Sequence, residues 1–277
     1  MTALPKPYYT DGTVTLYHGE CHDLVPRLPS VHVFLFSPPY NLAGSPWPRL
    51  GHWKPGDSAG GKSKWRNGSD GGGGVRYAGD IDDGKPWDQY EAEQHRIVNA
   101  CWERLTPDGA IFYQHKPRVI GARLWRPDSL IPDDLPIRQE IIWARAGGVN
   151  FTEVAFCPTH EVIIVVAKET WRLKSKAASG IGDVWRIPQE PSPHPAPFPV
   201  GLPARVIDAS GPRLICDPYC GSGTTLVAAK AAGIPAIGIE QSEAYCEMAV
   251  ERLTQTSLFE TGNADYHQQV SMFEAAV

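Results

Sequence analysis

Two short runs carry residue types whose order suggests chemistry. The first, Ser37-Pro38-Pro39-Tyr40, follows the apolar run Val31-His32-Val33-Phe34-Leu35-Phe36. Each proline fixes φ at about −65° and removes a backbone donor, so the carbonyls point in set directions with no ladder to satisfy. Ser37 adds a hydroxyl acceptor beside the Pro38 carbonyl, and Tyr40 adds a flat ring that can stack. Such a group suits a clamp for a planar moiety bearing an exocyclic amine. A strand followed by a plain proline turn would carry the same residues without a site. The second run is Asp217-Pro218-Tyr219-Cys220-Gly221-Ser222-Gly223-Thr224-Thr225, between a strand and a helix. Gly221 and Gly223 let backbone approach a ligand at the helix N-terminus. Glu240 ends the next strand about twenty residues on, where an acid can hydrogen-bond both hydroxyls of a ribose. The run lacks the third glycine of a dinucleotide fingerprint and the Gly-Lys-Ser/Thr of a nucleotide loop. A ribose without a phosphate points to S-adenosylmethionine. Gly-x-Gly alone can be no more than a tight strand-to-helix turn, and Asp217 and Glu240 are what give it a functional meaning.

The elements that must position these runs can be read from periodicity. Val14–His18 reads as a strand with a turn at Gly19–Asp23, then a short helix from Asp23 to Leu28 and the strand that ends at Ser37. Gln89–Leu105 has helical spacing, Thr106-Pro107-Asp108-Gly109 stops it, and Ala110–Tyr113 is a strand. Ile141–Trp143 and Glu161–Val166 read as further strands. The remainder alternates: helix Val200–Ala209, strand Leu214–Cys216, helix Thr224–Ala232, strand Ala236–Ile239, helix Glu243–Leu253. Such alternation means an α/β fold, a mostly parallel sheet with helices on both faces. Two stretches stand apart. Residues 44–84 hold Gly60-Gly61, Gly68 and Gly71–Gly74 and too little apolar surface to order themselves, so a mobile loop is expected there. Lys62, Lys64, Trp65 and Arg66 inside it could close over a bound polyanion. Residues 179–203 are rich in Pro and Gly, including His194-Pro195-Ala196-Pro197-Phe198-Pro199.

Composition sets bounds. The 277 residues fit one α/β domain with an insertion better than two full domains. No stretch approaches the ~20 apolar residues of a bilayer span, and Met1–Tyr9 lacks a charged-then-apolar leader, so a cytoplasmic, non-membrane protein is expected. Six scattered cysteines form no CxxC pair, which disfavours a zinc site and a disulfide framework. The net charge of −5 is unevenly placed, with eleven basic against eight acidic residues between Tyr113 and Arg186. Taken singly these bases are solvated surface, and as a set they could face phosphates.

The two runs together resemble the N4-cytosine/N6-adenine DNA methyltransferases, and the resemblance covers most of the chain. Ser37–Tyr40 is similar to that family's catalytic motif, Asp217–Thr225 to its cofactor loop and Glu240 to its ribose-binding acid. His194–Pro199 looks like the family's pre-helix cofactor segment, in which Phe198 would line the cofactor pocket. Glu20, after Gly19, is similar to the acid that holds the adenine side of the cofactor, where the family usually carries Asp. Catalytic motif first and cofactor loop last is the β-type, circularly permuted order. The resemblance implies a Rossmann-like methyltransferase fold with S-adenosylmethionine as cofactor, Ser37, Pro38, Pro39 and Tyr40 as catalytic residues, and Glu20, Phe198, Asp217, Tyr219, Gly221, Ser222, Gly223, Thr224 and Glu240 around the cofactor. It divides the chain into a catalytic half (1–112), a target-recognition segment with the remaining core strands (113–182) and a cofactor half (183–277).

The implied partner is double-stranded DNA, with a cognate restriction endonuclease as an open question. An exocyclic amino nitrogen is a poor nucleophile because its lone pair is delocalised. If Ser37 and the Pro38 carbonyl accept its N–H bonds, it can pyramidalise and attack in line, a reaction governed by positioning and electrostatics. No Cys follows Pro in the motif, which argues against C5 chemistry. The target base must leave the duplex, and Tyr40 would stack on it. Ser rather than Asp at position 37 is commoner in N4-cytosine members, so N4-cytosine is favoured over N6-adenine. RNA and protein-glutamine methyltransferases use related clamps but usually place the cofactor loop first. A non-catalytic DNA-binding relic would be expected to lose some of Ser37, Tyr40, Asp217 and Glu240.

Overall fold

A computed structural model describes residues 3–41, 84–120, 123–145, 156–190 and 198–259. The strands are β1 (Tyr9–Thr10), β2 (Val14–His18), β3 (Val31–Phe36), β4 (Leu105–His115), β5 (Arg118–Ile120), β6 (Arg123–Trp125), β7 (Ile137–Ala144), β8 (His160–Ala167), β9 (Val184–Arg186), β10 (Ile215–Asp217) and β11 (Ala236–Glu240). The helices are α1 (Cys21–Leu24), α2 (Trp87–Arg104), α3 (Lys176–Ser179), α4 (Gly201–Ser210), α5 (Thr224–Ala231) and α6 (Glu243–Phe259). Nine strands form one sheet in the order β1-β2-β11-β10-β3-β4-β8-β7-β9, and β5–β6 is a separate hairpin. From β2 to β4 every neighbouring pair is parallel. Strand β8 then runs antiparallel to both β4 and β7. This is the mostly parallel α/β sheet of the Rossmann-like methyltransferases.

The central strands are apolar without interruption because both faces are covered. In β8, Ile163, Val165 and Ala167 face one core and Val162, Ile164 and Val166 the other. The first core takes Leu202 and Val206 of α4, Leu226 and Ala229 of α5 and Ala249 and Leu253 of α6. The second takes Cys21 and Leu24 of α1 and Ile97, Val98 and Cys101 of α2. Among the described residues no helix is long and apolar enough to cross a membrane.

Several boundaries differ from the sequence reading. The helix expected from Asp23 to Leu28 starts at Cys21 and tightens after Leu24 into a single 3-10 turn, Val25–Arg27, because Pro26 at its start interrupts the α-helical ladder. Strand β4 begins at Leu105, not Ala110: Leu105 pairs with Val31, and the register resumes at Ala110 opposite Val33. Thr106–Gly109 is therefore a bulge within β4, and Gly109 is required there because a Cβ would lie 2.8 Å from the His32 carbonyl. Within 113–182, β7 and β8 are strands of the main sheet. The loop expected at 44–84 falls outside the described residues except for Gly84, as do positions 191–197 of the Pro-rich segment.

Gly223 is the position where the cofactor-type loop meets the packing of the helices. Its φ is +79°, and a Cβ would lie 2.9 Å from the Ala249 Cβ of α6. Gly223→Ala should therefore both strain the α5 N-cap and push α5 from α6, destabilising the protein by about 1–3 kcal/mol. A urea midpoint unchanged from that of the wild type would show that the two helices are not in this contact.

Candidate active site

The parallel strands β2, β11, β10, β3 and β4 end at one edge of the sheet, where open α/β sheets bind their ligands. Gly19 and Glu20 follow β2, Glu240 ends β11, Pro218 and Tyr219 follow β10, and Ser37–Asn41 follow β3. The two sequence runs thus meet. Glu20, Ser37, Pro38, Pro39, Tyr40, Tyr219, Gly221 and Glu240 all line one cleft of about 310 Å³. Asn41, Lys85, Tyr90, Gln94, Gln241 and Tyr245 complete much of its wall.

On the cofactor-type side the loop is fixed from within. Asp217 is buried and accepts the Tyr219 amide at 3.1 Å and the Thr225 hydroxyl at 2.6 Å. Burial pushes its carboxyl up to about 7, against the pull of those two donors, with the nearby charge of Glu240 adding to the rise. Glu240 accepts the Gly221 amide at 2.8 Å and the Ser242 amide at 2.8 Å through separate oxygens, and burial raises its pKa above the usual carboxylate range. The Cys220 amide goes to the Ile239 carbonyl and the Gly223 amide to the Cys220 carbonyl. Four amides of the turn are thus satisfied inside the protein and make no phosphate cradle. An acid at the strand end, close backbone at Gly221 (φ +50°) and no anion nest suit a ribose-bearing cationic cofactor. The fit to S-adenosylmethionine is therefore good.

Other residues of the loop support it from behind. Arg252 of α6 donates to the Ser222 carbonyl (2.7 Å), the Ser222 hydroxyl (3.0 Å) and the Thr224 hydroxyl (3.1 Å), so Ser222 and Thr224 face the helix rather than the cleft. Asp217, Ser222, Gly223 and Thr224 are not among the lining residues. Neither is Phe198, expected in the cofactor pocket: it packs, partly buried, against the core beneath α4, α5 and α6. Cys21 lines the cleft, but burial pushes its thiol up to about 12, so it is no nucleophile at neutral pH.

The clamp is fixed at both ends by polar groups that end β4. Lys116 donates its amide to Nδ1 of His115 at 2.8 Å, which places the imidazole proton on Nε2. Nε2 then donates to the Tyr90 hydroxyl (2.9 Å), and Tyr90 donates to the Pro39 carbonyl (2.8 Å). The Pro38 carbonyl accepts no hydrogen bond among the described residues. Tyr40 is 8% exposed, with its ring 4.5 Å from that of His115 and tilted by 40°. The Tyr40 hydroxyl lies 3.0 Å from Ser37 Oγ, 2.8 Å from Gln114 Oε1 and 3.0 Å from Glu161 Oε2. Gln114, His115, Tyr90 and Glu161 are absent from the sequence-based site. One signal could have found them. A Gln-His pair closing the apolar strand Ala110–Tyr113 lies at the same sheet edge as Ser37, and an acid opening an antiparallel strand lies there too.

The sheet and the cleft define a class, the α/β S-adenosylmethionine-dependent methyltransferases. A model of the N6/N4 methyltransferases, described as DNA methylase, matches residues 31–251, and the chain belongs to this family. It is an S-adenosylmethionine-dependent DNA methyltransferase. Among curated relatives, the Type II methyltransferase M.ScaI of Streptomyces caespitosus is 26% identical over 91% of this chain and 84% of its own length. The Type II methyltransferase M.BglII of Bacillus subtilis is 23% identical over 91% and 72%. Solved structures with the same fold include the cytosine-N4-specific PvuII DNA methyltransferase (TM-score 0.61, 17% identity, 89% of this chain and 88% of that one). A DNA modification methylase of Thermus thermophilus, complexed with S-adenosyl-L-methionine, superposes with a TM-score of 0.59 at 21% identity, over 87% of this chain and 93% of that one.

His115 sets a testable pH dependence. Burial, and then the Arg118 charge, hold its pKa down at about 3, against about 6.5 in an unfolded chain. Between those values the unfolded chain binds a proton that the folded one refuses. Stability therefore falls as pH drops from about 6.5 to about 3, by about 1.4 kcal/mol per pH unit from this residue. Unfolding free energies of His115→Gln measured from pH 7 to pH 4 should lack this component, and slopes equal to those of the wild type would contradict it.

Proposed function

We propose that the protein methylates N4 of cytosine within a specific site in double-stranded DNA, as the modification half of a Type II restriction–modification pair. The observation that carries the reading is the pairing, in one cleft, of the Ser37 hydroxyl with a Pro38 carbonyl left without a partner among the described residues. Two acceptors on adjacent residues match the two N–H bonds of an exocyclic amine. Bound in the cleft, S-adenosylmethionine supplies a methyl group on a sulfonium sulfur. Ser37 and the Pro38 carbonyl hold the amine so that its lone pair is released from the ring and aimed at that carbon, with the clamp geometry fixed in advance by Tyr90 and the residues around Tyr40. Glu240 takes the ribose hydroxyls, Glu20 the adenine side, and Tyr219 and Gly221 complete the cofactor wall. Asp217, Ser222, Gly223 and Thr224 act by keeping the loop in shape.

The base reaches the cleft only by leaving the helix, and Tyr40, backed by His115, offers it a ring. Recognition of the DNA sequence falls to those parts of 113–182 outside the main sheet, among them the β5–β6 hairpin with Arg118 and Arg123. Ser37 favours cytosine, and the cytosine-N4-specific printed name of the PvuII enzyme, which shares the fold, is in keeping with it. Incubation with labelled S-adenosylmethionine and mixed-sequence duplex DNA, followed by nucleoside mass spectrometry, should yield N4-methylcytosine. N6-methyladenine as the sole product would refute the base assignment, and label in RNA or protein but not in DNA would refute the substrate.

A further inference from the structure

Beneath the clamp lies a chain of buried polar side chains that neither motif contains. Gln114 is 1% exposed and Glu161 5%, and both stand at the sheet edge below Tyr40. Glu161 Oε1 is 3.0 Å from Arg145 Nη1. Its Oε2 accepts the Gln114 side-chain amide and lies 3.0 Å from the Tyr40 hydroxyl. Gln114 Oε1 is 2.8 Å from the same hydroxyl, which is in turn 3.0 Å from Ser37 Oγ.

Proton counting allows one direction through this chain. An ionised carboxylate has no hydrogen to give, so Glu161 only accepts. Gln114 must therefore turn its nitrogen to Glu161 and its oxygen to Tyr40. The single Tyr40 proton then points to that oxygen and to Glu161 Oε2, so the Tyr40 oxygen must accept from Ser37. The Ser37 proton is committed to Tyr40, and only lone pairs remain on Oγ for anything in the cleft. Resting on the amine-clamp reading above, we infer that Glu161 is a positioning residue that acts through Gln114 and Tyr40 to make Ser37 a pure acceptor toward the substrate amine. The aligned donors also polarise one another toward the carboxylate, which strengthens Ser37 as an acceptor. Arg145 holds the carboxylate ionised and in place. Serine alone could donate or accept; a buried acid two side chains away decides which.

Coupling between these side chains is the expected outcome. Tyr40→Phe keeps the ring and cuts the chain between Ser37 and Glu161, and Glu161→Gln removes its acceptor-only end. Each should lower kcat by about 10- to 100-fold while the Kd for S-adenosylmethionine, measured by calorimetry on the full chain, stays within about twofold. Because the residues act as a unit, the double variant should be no slower than the slower single variant. Single-variant losses that multiply in the double variant would overturn the inference, as would full kcat in Glu161→Gln. Gln114→Met breaks the same chain without touching the Glu161–Arg145 pair, and it replaces Glu161→Gln in the cycle should the latter lose cofactor binding. Failure of the wild type to methylate DNA would refute the proposed function instead, so the two failures are distinguishable.

Discussion

The site depends on one constraint, the common direction of the five strands β2, β11, β10, β3 and β4. Parallel strands buried on both faces must be joined by crossovers over the faces, and their carboxyl ends then fall along a single edge. That edge gathers Glu20, Ser37–Tyr40, Gln114 and His115, Tyr219 and Gly221, and Glu240 from across more than two hundred residues of chain. The antiparallel β8 adds its opposite end, so Glu161 reaches the edge from the start of a strand rather than from its finish. No local segment contains the site; the sheet assembles it.

The two halves of the cleft are stiffened differently. On the cofactor side the turn satisfies itself, with Asp217, Glu240 and Arg252 tying down its amides, hydroxyls and one carbonyl. On the clamp side the stiffness comes from below, where His115 and Tyr90 hold the Pro39 carbonyl and Tyr40 is tied to Gln114 and Glu161. Both arrangements leave acceptors facing the cleft: the Glu240 carboxylate on one wall, and Ser37 and the Pro38 carbonyl on the other. Groups fixed before the substrate arrives need not reorganise during transfer, and much of catalysis by positioning comes from that.

Much of this was legible in the sequence, because the features that set the fold are local. Strand β2 has the bounds its alternation implies, and the Gly-rich turn before α5 is where the glycines place it. The misreadings have physical causes. Thr106–Gly109 has turn chemistry, yet it is a bulge, since Leu105 still pairs with Val31. The short strands β1 and β9 and the β5–β6 hairpin exist by pairing with partners rather than by their own pattern. Phe198 carries a family-like motif position, but burial against the core decides its place. Gln114, His115 and Glu161 were invisible for a different reason. They sit in or beside apolar strands, and only the register of β4 against β8 shows that they meet beneath Tyr40.

That Ser37–Tyr40 and Asp217–Glu240 are the two walls of one reaction cleft is tested most directly by a crystal structure of the full chain with S-adenosylmethionine. The expected result is ribose hydroxyls on the Glu240 carboxylate, with the sulfonium methyl directed at the space between the Ser37 hydroxyl and the Pro38 carbonyl. A cofactor bound with its ribose away from Glu240, or with its methyl directed away from that clamp, would contradict it.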